Sequence, residues 1–173
     1  MTVIDFIKIV FRYIILLLLQ VLLMNNIEFS SYVNPQLYLL FLLMLPFETS
    51  NWLLMVLGFF TGISIDYFND TMGMHAAACT LIMYLRPKVL KFFSPRDGYE
   101  PGVQPTIKAL GPVWYFYYAG IMILSHHAVL FFLEVFRFSE FFHTFFKIIV
   151  SSIFTLIVIF IAQYLVYAKR ENS

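Results

Sequence analysis

The chain has 173 residues, of which 61% are hydrophobic and only 12% charged, with a mean hydropathy of +0.84 and a net charge of +1. A water-soluble domain carries about 25% charged residues, so too little polar surface is available to face water, and the composition is that of an integral membrane protein. The near-zero net charge provides no basic field for nucleic acid, and one cysteine, Cys79, excludes a disulfide framework.

A helix needs about 20 apolar residues to cross the hydrocarbon layer, and residues 6–24 satisfy that, with Arg12 close enough to one end to snorkel. Lys8 and Arg12 give this segment a basic start, but Asn25-Asn26-Ile27-Glu28 follows without a small-x-small cleavage site. It reads as an uncleaved anchor helix. A polar loop over 25–35 closes with the turn signal Asn34-Pro35. The apolar runs 33–47 and 51–66 are short, separated by Pro46-Phe47-Glu48-Thr49-Ser50. A further span over 71–90 ends at Arg86-Pro87-Lys88. Prolines 95, 101, 105 and 112 then punctuate an extramembrane loop over 91–112, and 113–134 and 143–167 are full-length spans.

Charge decides how many times the chain crosses. Between Arg12 and Arg86 there is no lysine or arginine, whereas Arg86, Lys88, Lys91, Arg96 and Lys108 crowd one bend. Basic residues collect on the cytoplasmic side. Six spans place that bend and both termini inside, leaving only Arg137 and Lys147 near the outer face, whereas five spans put the bend outside. The expectation is an all-α, single-domain bundle of six transmembrane helices with both termini cytoplasmic. The 33–47 and 51–66 pair has a re-entrant hairpin as its alternative, which survives at membrane depth only under a cover of protein.

Chemistry concentrates between residues 45 and 90. Gly58 and Gly62 stand four apart with Asp66 on the same helical face, and Gly73, Ala77 and Thr80 offer a matching small face on the next helix. Small residues let helix backbones approach closely in lipid, so a tight helix pair is expected. Ionisable groups in the membrane are costly and mark structural or functional sites; Glu48, Asp66, Asp70, His75 and Arg86 are the candidates. Asp70 is expected to cap the following helix, and Asp66 and His75 to pair with each other or hold a ligand. No second His or Cys falls at metal-ligand spacing, and no cofactor motif is present. His126 and His127 point to different helix faces and read as interhelical hydrogen-bonding groups, with Glu134 one heptad beyond His127. Trp52, Tyr84, Trp114, Tyr115, Tyr117, Tyr118, Tyr164 and Tyr167 suit interfacial belts. Gly62-Ile63-Ser64-Ile65-Asp66 approaches a nucleophile elbow but ends in Asp where Gly is needed, so a Ser64 protease with His75 or His126 is the weakest reading.

Asn34-Pro35-Gln36-Leu37-Tyr38, Pro46-Phe47-Glu48-Thr49-Ser50, Gly58-x3-Gly62-x3-Asp66, Gly73-Met74-His75-Ala76-Ala77 and Tyr84-Leu85-Arg86-Pro87 together resemble the rod shape-determining protein MreD family, in its Bacteroidetes-type form. The resemblance is close over the central third and extends to the rest by length and span pattern. It implies a non-enzymatic inner-membrane scaffold without cofactor, similar in fold to the substrate-binding subunits of energy-coupling-factor transporters. It also implies direct binding to MreC and, through the complex, association with MreB, RodA and a class B penicillin-binding protein. Gly62, Asp66, Gly73 and His75 match the family pattern as residues of a fold-defining turn or of the MreC contact. A small-molecule-binding transporter subunit is the alternative, with a cavity lined by Glu48, Asp66 or His75. Membrane lipid, or a cytoplasmic partner, would face the basic loop.

Overall fold

The computed structural model describes residues 3–24, 33–100, 102–135 and 141–171, with side chains from residue 7 and up to residue 165. Of the expected loop 25–35, residues 25–32 lie outside the described residues, as do Arg137 and the side chains of Tyr167, Lys169 and Arg170.

The described residues are helical, with no strand: α1 Val3–Leu22, α2 Leu39–Leu43, α3 Asn51–Asn69, α4 Met74–Phe92, α5 Ile107–Leu110, α6 Pro112–Val135 and α7 Phe141–Glu171. Three are long and apolar enough to cross a membrane: α3, α6, and α7 over Phe141–Leu165. The 20-residue α1 and 19-residue α4 have comparable length but carry Asp5, Lys8 and Arg12, and Arg86, Lys88 and Lys91, respectively.

The largest departure from the sequence reading is 33–47. Instead of a spanning helix it holds only α2, five residues rising about 7.5 Å at ~1.5 Å per residue. Every residue of α2 is buried, and Tyr38, Leu42, Leu43 and Leu45 join Ile82, Met83, Tyr115, Tyr118, Met122 and Ile159 in one core. The bundle is therefore built around a broken segment rather than around a sixth long helix. Apolar content placed this stretch correctly in the interior; it did not specify its backbone, because leucine-rich runs suit any dry surroundings.

Helices α3 and α4 form an antiparallel hairpin. Its turn is set by two left-handed residues, Asp70 (φ 53°) and Gly73 (φ 83°), which reverse the chain between the helices. Pro87 lies inside α4, which runs through it to Phe92, close to the end of the expected 71–90 span. At the far end of this hairpin the 94–111 loop folds back over the bundle. The Tyr99 ring stacks on Phe47 at 4.1 Å and its hydroxyl donates to the Leu90 carbonyl at 2.8 Å. Partial burial raises the Tyr99 phenol above the ordinary tyrosine range. Gln104 accepts from Arg12 of α1 at 2.8 Å, and Gln163 of α7 accepts the Ile107 N–H at 2.9 Å. Thr106 caps α5 by accepting from Ala109, and Pro112 opens α6 at the first helical position, where its missing N–H costs nothing.

Candidate functional site

The α3–α4 hairpin positions the residues singled out by the sequence. A Cβ at Gly58 would stand 2.8 Å from both the Cys79 carbonyl oxygen and Met83 Cγ, and one at Gly62 would overlap the Ala76 backbone and lie 2.5 Å from the His75 carbonyl oxygen. Both glycines are therefore demanded by direct backbone contact. The partner face differs from expectation: Ala76, Cys79 and Met83 meet the glycines, whereas Ala77 is exposed and Gly73 serves the turn. The one-residue shift follows from how the turn residues set the rotation of α4.

At the end of this seam Asp66 is buried and its carboxylate is fully used. Oδ1 accepts the His75 N–H at 3.0 Å and the Thr71 hydroxyl at 2.5 Å, and Oδ2 accepts the Ala76 N–H at 2.9 Å. A carboxylate at a helix N-terminus satisfies orphan donors and opposes the dipole. Thus Asp66, from the preceding helix, caps α4. Asp70, expected in that role, is instead the left-handed C-cap of α3, its N–H bonded to the Asp66 carbonyl. Of the two roles expected for Asp66 and His75, the side-chain pairing is replaced: Asp66 holds the His75 backbone, and neither His75 ring nitrogen has a hydrogen-bond partner among the described residues.

The His75 ring lies edge-on to Tyr38 at 6.1 Å and parallel to His126 at 6.4 Å. The Tyr38 hydroxyl and His126 Nε2 are 2.9 Å apart, with Cys79 Sγ 3.6 Å from the same nitrogen. His127, on a different face of α6, donates from Nδ1 to the Ile123 carbonyl at 2.9 Å; its Nε2 faces the Thr155 hydroxyl at 3.4 Å. Glu134 pairs with Lys147 at 3.0 Å. Among the described residues no group of three His, Cys, Asp or Glu side chains is placed to hold a metal ion.

A second set of polar groups, unforeseen from the sequence, holds the broken segment. Gln20 of α1 accepts the Leu37 N–H at 2.6 Å and donates to the Pro35 carbonyl at 3.2 Å. On α7, Ser151 accepts the Asn34 N–H at 3.1 Å and Thr155 accepts the Gln36 N–H at 3.0 Å. At the other end Arg86, wholly buried, donates through Nη2 to the Leu45 carbonyl and through Nε to the Tyr118 hydroxyl at 2.9 Å. Tyr118 in turn donates to the Leu43 carbonyl at 3.1 Å. Buried non-helical backbone must find such partners. The legible signal is the polar spacing on α7, where Ser151, Thr155 and Gln163 continue the buried stripe of Ile148 and Ile159. Arg86 thus belongs to the interior and not to the exposed basic bend; Tyr115 and Tyr118, expected at an interfacial belt, are likewise fully buried.

The remaining candidates lie apart. Glu48 is exposed in the turn before α3. Ser64 shares a 2.7 Å hydrogen bond with Tyr13 and donates to the Phe60 carbonyl at 2.8 Å, with no histidine partner among the described residues. Two hollows flank the α3–α4 turn. One of about 500 Å³ is lined by Asp66, Tyr67, Asp70, Thr71 and Met72. The other, of about 300 Å³, includes Asn34, Met74, His75 and Glu134.

Comparison with protein-family models, with characterised proteins and with solved structures returned no match.

Proposed function

We propose that this chain is a non-enzymatic scaffold of the MreD type in the bacterial inner membrane, binding MreC and helping to organise peptidoglycan synthesis and cell shape. In this reading the chain crosses six times with both ends in the cytosol, 33–47 being a crossing made as a broken segment. The observation that carries it is the convergence of the residues of the resemblance, Gly58, Gly62, Asp66, Gly73 and His75, on one helix junction where each has a backbone-holding or packing part. The membrane-depth carboxylate is spent on capping and Arg86 on carbonyls, which suits a dock better than a catalyst. The outward faces of α3 (Phe59, Phe60, Ile63) and α7 (Ile149, Ile153, Ile157) are broad and apolar, and a partner's single helix would lie against one of them. MreB, RodA and a class B penicillin-binding protein would be reached through that complex.

Single cysteines placed along α3 and α7 are expected to crosslink to MreC on one face with helical periodicity, and depletion to round the cells. Rod-shaped cells after a clean deletion would end this reading. The transporter-subunit alternative is favoured by the hollow beside His75; a thermal shift with a vitamin, together with no MreC adduct, would select it.

A further inference from the structure

The exposed stripe of α4 changes character within two turns. Leu81, Tyr84, Lys88 and Phe92 recur at helical spacing on its outer face; Tyr84 is 52% and Phe92 81% exposed. Lys91, also exposed, stands beside them. Lys88 Nζ donates to the Tyr84 hydroxyl at 3.2 Å and sits over its ring at 4.3 Å. The start of α6 packs against Phe93, the residue after Phe92: Trp114 Nε1 donates to the Phe93 carbonyl at 3.1 Å, the Tyr117 ring stacks on Phe93, and Val113 is exposed. Aromatic rings with polar tips settle at headgroup depth, so in a bilayer these rings would hold Lys88 and Lys91 at the level of lipid phosphates.

Two features make this patch selective rather than merely interfacial. Among the described residues neither Lys88 nor Lys91 is ion-paired, whereas Lys147, on the loop-side end of α7 beyond the opposite end of the hairpin, is neutralised by Glu134. Also, Asp66 and Asp70 lie at that opposite end, where α3 turns into α4, whereas Glu48, Asp97 and Glu100, the acids before α3 and after α4, are exposed and form no ion pair with Lys88 or Lys91 among the described residues. We propose that the Lys88–Lys91 patch, flanked by Tyr84, Phe92 and Tyr117, is a binding site for the headgroup of an anionic phospholipid. The lysines take the phosphate and the rings pack against the glycerol and upper acyl chains. This reading does not rest on the partner contact proposed above.

The test uses the full chain reconstituted in vesicles of phosphatidylcholine mixed with phosphatidylglycerol, with a Trp52→Phe change so that Trp114 is the sole tryptophan. Phosphatidylglycerol brominated on its acyl chains is expected to quench Trp114 with an apparent association constant about fivefold or more above that of brominated phosphatidylcholine, the order expected for each lysine near an anionic headgroup. The preference should fall as salt is raised, vanish in a Lys88→Gln/Lys91→Gln protein and persist in Lys147→Gln. Equal quenching by the two lipids, a preference indifferent to salt, or a preference that survives the double substitution would each overturn the proposal.

Discussion

Asp66 Oδ2 accepts the Ala76 N–H at 2.9 Å, so the last turns of one helix supply the cap of the next. The same carboxylate takes the His75 N–H and the Thr71 hydroxyl. A buried group serving three donors cannot be replaced by anything at the turn itself, because Gly73, the N-cap residue, has no side chain.

Removing the carboxylate should therefore be costly. Asp66→Ala strands two buried backbone N–H groups, each worth about 1–3 kcal/mol when left unpaired, and an overall loss of roughly 3 kcal/mol is expected. Asp66→Asn keeps one acceptor and should lose about half as much. Asp70→Gly relieves a left-handed non-glycine residue and is expected to be neutral or stabilising by up to about 1 kcal/mol. Unfolding free energies in mixed micelles check the order; a larger loss at Asp70 than at Asp66 would return the cap to Asp70.

The glycine seam gives a graded series. Gly62→Ala must push α4 away along its backbone, and Gly58→Ala strikes a carbonyl oxygen and a movable methionine, so the first should cost more, about 3 kcal/mol against 1–2, within the range of overpacking. A Cβ at Gly120 of α6 meets nothing within 4 Å, and Gly120→Ala should stabilise by about 0.5–1 kcal/mol through helix propensity. Ala77→Leu, on the exposed face, should be tolerated. Thermal midpoints for the four proteins, and helix-pair crosslinking between 62 and 76, provide the readout.

Why some of this could be read from the sequence, and some not, follows from what each signal reports. Gly-x3-Gly-x3-Asp spells close approach followed by a polar event, and both are present at 58, 62 and 66. The partner register escaped because Gly73, Ala76, Ala77, Ala78 and Thr80 are small all round the helix, and composition cannot choose among faces that all fit. Residues 33–47 were read as one helix for a different reason: hydropathy measures dryness, and α2 is dry because protein surrounds it, which says nothing of how the backbone runs. The clue lay elsewhere, in Gln20, Ser151 and Thr155, polar groups in apolar helices whose partners are backbone atoms of a segment more than a hundred residues away in two of the three cases.

Those clamps can be tested singly. Thr155→Val preserves shape but removes the acceptor of the Gln36 N–H and the hydroxyl facing His127, so a loss of about 2 kcal/mol is expected. Ser125→Ala is the matched control, since among the described residues its hydroxyl bonds only to the Ile121 carbonyl of its own helix, and it should change stability by less than about 0.5 kcal/mol. Hydrogen exchange adds a local measure: the Gln36 amide should exchange faster in Thr155→Val and stay protected in Ser125→Ala.

Arg86 separates the value of a charge from that of its hydrogen bonds. The guanidinium is wholly buried, has no carboxylate partner among the described residues, and holds the Leu45 carbonyl and the Tyr118 hydroxyl at once. Lysine keeps the charge but cannot reproduce a planar fork, leaving an ammonium in dry surroundings with fewer partners; about 3 kcal/mol should be lost, as when a buried charge loses its compensation. Methionine removes the charge and its desolvation cost, and strands chiefly the Leu45 carbonyl, because Tyr118 still donates to Leu43; the expected loss is about 1–2 kcal/mol. Arg86→Lys should thus be the less stable of the two in micelles. The reverse order would mean that positive charge itself, and not the pairing of carbonyls at the end of the broken segment, is what this position requires.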